Sequence, residues 1–333
     1  MNLNLIRLRF FSRIGASLIR NRRAHEEKRE IMIYTVTLNP ALDYYCTVET
    51  LNLGETNRCI TESLIGGGKG INVSLMLAQL GVPTTALGFA AGFTGEELIR
   101  QLQDQSVNAD FIRCAQGQTR INVKINSGVE TEINGRGPEV SAAEREALLD
   151  RIRRIQPGDT LVLSGNVPPT LPESIYEQIL AELPASSIRV VVDAEGALLR
   201  DTLRFHPFLI KPNLAELRQL VANPQAPVSD QIQELRRQGA GHILVSMGAE
   251  GSVLFTAEGG VYRQHPLPGQ TVSTVGAGDS MVAGFLASLE NSACTLEDSL
   301  RWAAACGTAT AFSRGIARRE QVEALLDQIR IEG

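Results

Sequence analysis

From Met32 onward, short apolar runs alternate with stretches whose apolar residues recur every third or fourth position. The runs fall at 33–38, 84–89, 160–163, 189–192, 208–210, 242–246 and 252–255, and their length predicts strands. The stretches at 70–80, 95–105, 142–155, 172–183, 214–222 and 229–238 carry the helical period, which also fills 277–289, 296–313 and 320–329. Strands alternating with helices predict an α/β fold around a mostly parallel sheet. "TLVLSG" and "VVVD" are apolar at consecutive positions. Both of their faces must be covered, which puts helices on both faces of that sheet.

Two stretches break the pattern. Residues 44–60 and 120–133 alternate apolar and polar positions without a helical period. "TRINVKI" and "ETEIN", split by "NSG", read as a hairpin with one wet face. They predict a small second sheet, a β lid drawn from about residues 43–60 and 113–136, on one domain spanning 32–331. No repeat, low-complexity tract or linker divides the chain further.

Composition narrows the class. The chain has 333 residues, 43% apolar and 21% charged, as in a soluble globular protein. The first 31 residues hold seven Arg, one Lys and three Glu, net +5, which leaves −10 for the rest against −5 overall. An acidic domain without a basic-aromatic stripe argues against nucleic acid, and no apolar run suits a membrane span. The leader's Arg-rich start is compatible with a transit peptide. The plainer expectation is that translation starts at Met32, because "EEKRE" before it is encodable by purine-only codons, like a ribosome-binding stretch. Five scattered cysteines without a CxxC pair read as reduced cytoplasmic thiols, neither staples nor metal ligands. Four histidines leave little for a His-based metal site.

Four segments carry chemistry. In "STVGAGDSMVAGF", residues 273–285, bare glycine backbone meets a helix start, a ready anion pocket. Asp279 lies in the first turn, where the helix dipole is expected to keep it ionised, poised to take a proton from a hydroxyl attacking the anion. Plain helix capping is the competing reading. "IGGGKGINVS", 65–74, offers backbone donors, the Lys69 cation and the Asn72 amide, but lacks the Walker A spacing. In "LIKPNLAEL", 209–217, capping alone would explain Asn213 and Glu216; the functional alternative sets Glu216 by the hydration shell of Mg²⁺. "VSMGAEGSVLF", 245–255, is strand, turn, strand, and such a turn at a strand end suits a nucleotide.

Taken in order, with "TLNPALD", "TRINVK" and "SMGAEG" between them, these segments resemble the ribokinase-like carbohydrate kinases, in particular the phosphofructokinase-B branch. The resemblance covers about 32–331. Within the branch, "MIYTVTLNPALDYY", "TRINVK" and "TEINGRGPE" are most similar to bacterial 1-phosphofructokinases. That implies ATP- and Mg²⁺-dependent phosphorylation of D-fructose 1-phosphate at its 6-hydroxyl, giving fructose 1,6-bisphosphate and ADP. Tagatose-6-phosphate or fructose-6-phosphate kinase is the rival. A non-catalytic sugar-phosphate sensor, which would have no use for Asp279, is a rival of another class.

Carried over residue by residue, the resemblance makes Asp279 the catalytic base and Gly276, Ala277 and Gly278 the anion hole. Asp43, Gly67, Gly68 and Asn72 would line the sugar site, and Lys69 and Arg120 would hold the resident phosphate; Arg136 is a lesser candidate. Ser246, Met247, Gly248, Ala249, Glu250, Gly251, Asp193 and Asn213, with Gly278 and Asp279, would meet ATP. Glu216 would reach the metal through water. The lid would exclude water and pair two copies into a homodimer. Two places depart from the family pattern: "SGNVP", with Asn166 and Val167, and Ala194-Glu195-Gly196 after Asp193. Both bear on which sugar is taken.

Overall fold

A computed structural model describes residues 29, 31–184, 187–291 and 293–333. The expectation about the leader concerns residues that lie, apart from 29 and 31, outside this set. Residues Met32–Gly333 form one compact unit.

The elements run β1 (Ile33–Thr37), β2 (Ala41–Thr47), β3 (Thr61–Gly67), α1 (Lys69–Gln79), β4 (Thr84–Ala91), α2 (Gly92–Asp104), β5 (Asn108–Cys114), β6 (Arg120–Asn126) and β7 (Glu130–Asn134). Then come α3 (Ala142–Ile152), β8 (Thr160–Ser164), α4 (Ile175–Ala181), β9 (Arg189–Asp193), α5 (Gly196–Arg200), β10 (Leu209–Ile210), α6 (Leu214–Leu220) and α7 (Val228–Gln238). The chain ends with β11 (His242–Ser246), β12 (Ser252–Phe255), β13 (Val261–Gln264), α8 (Ala277–Leu289), α9 (Leu296–Ala311), α10 (Arg319–Leu326) and β14 (Ile331–Glu332).

Ten strands form the main sheet in the order β14-β13-β12-β11-β10-β9-β8-β1-β4-β5. It is parallel from β11 to β5, and β12, β13 and β14 extend it antiparallel. Side-chain alternation explains the apolar runs. On β8, Leu161 and Leu163 enter one core with α3, α4 and α7, while Val162 enters another with α1, α8 and α9. The central strands are thus sandwiched, as predicted.

The small sheet, in the order β3-β2-β6-β7, is where the boundaries move. Residues 44–60 are strand only in part. The strand ends at Thr47, an irregular loop follows, and β3 returns over Thr61–Gly67. The Asn57 amide folds the loop back by bonding both the N–H and the C=O of Asn52. This local side-chain turn competes with strand extension. The expectation about cysteines is also corrected for two of the five: Cys46 on β2 is disulfide-bonded to Cys59 in that loop. Register lets the bond form: Cys46 stands opposite Glu62, and the loop brings Cys59 back beside the same strand. Cys114 and Cys306 are free and buried, and Cys294 is free and half-buried.

Candidate active site

The parallel strands end at a common edge, and a cleft of about 1090 Å³ opens there. Thr37 ends β1, Asp193 ends β9 and Ser246 ends β11, and all three line it. So do Gly165, just after β8, and Lys211, just after β10. The polar face of the small sheet supplies Asp43 and Asn122 to the same cleft.

Asp279 sits in the first turn of α8 and is 6% exposed. Gly276 caps the helix with φ 79°, a left-handed conformation that favours glycine. A Cβ at Gly278 would lie 2.9 Å from the Lys211 ammonium nitrogen, so the bare backbone lets that cation approach the turn. Asn72 on α1 donates to Asp279 Oδ2 at 2.8 Å. This bond joins the two glycine-rich motifs across 207 residues of sequence. Burial, helped by nearby Asp193, pushes Asp279 up to about 6, against the lowering effects of Asn72, Lys211 and Lys69. A carboxylate tuned to about 6 is still mostly ionised at neutral pH and basic enough to accept a proton.

Asp193 is buried at 1% exposure and holds two cations. Lys69 Nζ lies 3.6 Å from its Oδ1, and Lys211 Nζ lies 3.4 Å from its Oδ2. Lys69 also pairs with Glu195 at 3.6 Å. Burial disfavours the charge on Lys69, but Asp193, Asp279, Glu216 and Glu195 outweigh it and raise its pKa. The ammonium therefore stays charged throughout the physiological range.

Asp43 on β2 accepts a 2.8 Å bond from Asn122 on β6, its register partner. Burial raises its pKa, while Asn122, Lys124 and Arg120 pull the other way. Asn122 Oδ1 is buried without a partner, as are Asn39 Oδ1 and Thr37 Oγ1. All three residues line the cleft. Arg120 starts β6 and donates Nε to the Asn39 carbonyl at 3.1 Å. The arrangement offers a polar ligand both acceptors and a cation.

Of the remaining expected residues, Gly68, Gly248, Ala249, Gly251, Asn166 and Ala277 line the cleft. Gly67 instead pairs with Ala41 in the β2–β3 ladder. Met247 packs against the core, and neither it nor Glu250 lines the cleft. Arg136, also outside the lining, meets Asn39 only through its backbone carbonyl, which accepts from Nδ2 at 3.3 Å. The capping reading of "KPNLAEL" holds: Asn213 accepts from the N–H groups of Ala215 and Glu216, and Glu216 Oε2 accepts from Asn213 N. Both residues nevertheless line the cleft. Among the described residues no group of three or more His, Cys, Asp or Glu could cage a metal.

Residues 32–321 match the family described as pfkB family carbohydrate kinase. The chain belongs to this family. As a pfkB carbohydrate kinase it is 41% identical over 303 residues to the 1-phosphofructokinase of Bacillus subtilis strain 168, covering 90% of this chain and 99% of the relative. It is 35% identical over 304 residues to the D-tagatose-1-phosphate kinase of Bacillus licheniformis, covering 90% and 99%. Its fold matches a crystal structure of phosphofructokinase-2 from Escherichia coli in complex with substrates and products, with TM-score 0.83, 30% identity and coverage of 90% and 99%.

In this pfkB site, sequence reasoning passed over Lys211, Asn122 and Asn39. Lys211 had a legible signal: a lysine at the end of an apolar strand, just before the Asn213 cap, must leave the sheet at its functional edge. Asn122 and Asn39 had none, because an asparagine in an alternating strand or a turn reads as solvated.

Proposed function

We propose that the protein transfers the γ-phosphoryl group of ATP to the 6-hydroxyl of D-fructose 1-phosphate. The observation that carries the reading is Asp279: a buried carboxylate tuned to about 6, in the bare glycine turn of a helix N-terminus, flanked by Lys69 and Lys211. Asp279 takes the hydroxyl proton. The hydroxyl oxygen bonds to the γ-phosphorus, the bond to the bridging oxygen breaks, and ADP leaves. The backbone N–H groups of Gly276, Ala277 and Gly278 face the transferring group's oxygens, and the two lysines offset its charge. Catalysis here is positioning and charge stabilisation.

Asp43, Asn122 and Asn72 hold the sugar hydroxyls beside Gly68, and Arg120 holds the resident phosphate, which its guanidinium can grip with two bonds. Lys69 was expected at the resident phosphate; we assign it instead to the transferring phosphoryl group, a reading supported by its pairing with Asp193 at 3.6 Å. The turn at Ser246–Gly251 and Asn213 hold the nucleotide. Hard oxygen donors without a three-ligand cage fit a Mg²⁺ that keeps its waters and binds chiefly to phosphates. Glu216 and Asp193 would hold that hydration shell, and the ion would neutralise phosphate charge.

Register puts Asp43, Asn122, Lys124 and Glu132 on one face of the small sheet and Tyr44, Leu64, Ile121 and Ile133 on the other. On that second face Leu64, Ile121 and Ile133 are exposed, and a second copy's lid is the occupant we assign, making a homodimer. The kinase domain spans 32–331, with the small sheet as its lid. No described helix is long and apolar enough to cross a membrane, and substrates of this kind place the enzyme in the cytoplasm.

Two relatives are named for 1-phosphorylated ketohexoses, which supports a resident phosphate at C1 over the 6-phosphate alternatives. The test is the initial rate of ADP release with Mg²⁺–ATP and, at matched concentrations, fructose 1-phosphate, tagatose 1-phosphate, fructose 6-phosphate and tagatose 6-phosphate. The highest kcat/KM is expected with fructose 1-phosphate. A preference for either 6-phosphate would overturn the assignment of Arg120.

A further inference from the structure

The disulfide on the lid has no part in phosphoryl transfer, and its surroundings suggest a separate use. Cys46 lies in β2, three residues beyond Asp43, and is 8% exposed. Cys59 lies in the loop before β3 and is exposed. Their Cα atoms are 5.8 Å apart across 13 residues of sequence, within the span a disulfide needs. Backbone bonding holds them there without the covalent link. Ile60 N–H donates to the Thr47 carbonyl at 2.7 Å, Val48 N–H donates to the Asn126 carbonyl at 2.9 Å, and the β2–β3 ladder runs from Thr47–Thr61 to Ala41–Gly67. A pair positioned by the fold, with one sulfur open to solvent, can open and close without unfolding the protein.

We propose that Cys46 and Cys59 form a reversible thiol–disulfide modification site whose co-reactant is a small-molecule disulfide of the glutathione type. The exposed Cys59 thiolate attacks one sulfur of the oxidant, forming a mixed disulfide and releasing one small thiolate. The Cys46 thiolate then attacks Cys59 Sγ and displaces the second. In sum, two protein thiols and one small disulfide become one protein disulfide and two small thiols; the protein loses two electrons and two protons. Reduction runs the same steps backwards with a dithiol. Access dictates the order, since thiol exchange needs a reachable thiolate. The other thiols are poor competitors: Cys114 and Cys306 are buried, and burial raises both of their pKa values.

The consequence falls on the lid. Closure fastens the loop end of the β2–β3 hairpin, whose open end lies toward Asp43 and leads through Gly67 into the Gly68–Lys69 turn. Opening leaves that end to the Ile60–Thr47 bond and its neighbours alone. Losing the equivalent of one backbone hydrogen bond there changes affinity by about two- to tenfold. The oxidised enzyme therefore has the lower KM for the sugar phosphate. This last step rests on the proposed function; the thiol chemistry does not.

The experiment treats the full chain with oxidised glutathione or with dithiothreitol, alkylates it without denaturing, and maps the cysteines by peptide mass spectrometry. KM for fructose 1-phosphate is measured in both states. The expected map is a Cys46–Cys59 cross-link after oxidation, alkylation at Cys59 after reduction, and no cross-link involving Cys294. Cys46→Ser should instead trap a glutathione mixed disulfide on Cys59, and Cys59→Ser should abolish the redox dependence of KM. Oxidised wild-type chain with Cys59 free or stably glutathionylated would overturn the proposed site. Equal KM in the two mapped states would overturn its effect on the lid. An enzyme that turns over no sugar phosphate in either state would refute the substrate assignment and leave the cysteine map to decide the site.

Discussion

Replacing Asp279 by Asn should destroy turnover and raise stability together. The carboxylate's pKa is moved from 3.8 to about 6, chiefly by burial. Each unit corresponds to about 1.4 kcal/mol between the protonation states, so holding Asp279 ionised costs the folded protein on the order of 3 kcal/mol. The native pKa is the higher one, so the folded state binds the proton more tightly than the unfolded state. That contribution to stability is fully present below the unfolded value, about 4, and is lost as pH rises through about 6. Asp279→Asn keeps the shape and has no charge to lose. Its melting temperature should match wild type near pH 4 and exceed it by about 5 °C above pH 7, at the usual few degrees per kcal/mol for a chain of this size. Turnover should fall by about two to four orders of magnitude, the scale of general-base loss. In the wild type, kcat/KM should fall tenfold per pH unit below about 6, as the base becomes protonated. The assay pairs thermal melts from pH 4 to 8 with coupled ADP-release kinetics. A stability difference that does not change with pH would refute the burial argument. Turnover within tenfold of wild type would refute the role of the base.

Three further substitutions separate the halves of the cleft and the lid. Lys211→Ala should cut kcat and raise KM for ATP by about 10- to 100-fold, the scale of a charge-assisted contact, whereas Arg120→Ala should raise KM chiefly for the sugar phosphate. Steady-state kinetics with each substrate varied check this, and equal effects on both KM values in either variant would show the contacts are misassigned. Ile133→Asp puts a charge on the apolar face of the lid and should turn a dimer into a monomer in light scattering, with its melting curve showing that the kinase domain stays folded. A dimer unaffected by this change would place the interface elsewhere.

Much of the fold was legible in the chain. Strands buried on both faces have to be apolar at consecutive positions, so "TLVLS" and "RVVVD" announced themselves. The amphipathic helices followed from period alone. β5 was missed because it is an edge strand with a half-exposed pattern, and β3 because five of its seven residues are exposed. A strand whose side chains meet solvent is held by its neighbour's hydrogen bonds, and these leave little mark on residue type. In the site, the glycines and Asp279 stood out because a bare turn before a helix is rare without a use.

The local sequence determined where helices begin, which strands are buried and which turns carry bare backbone, because each depends on residues a few positions apart. Tertiary structure alone decided the rest. Asn72 came to orient Asp279, Asp193 to hold two lysines, and Cys46 to bond Cys59. The pKa of Asp279 was likewise raised by burial and by Asp193. These are properties of distance and solvent exclusion, and groups 207 residues apart acquire them only when the chain has closed the cleft around them.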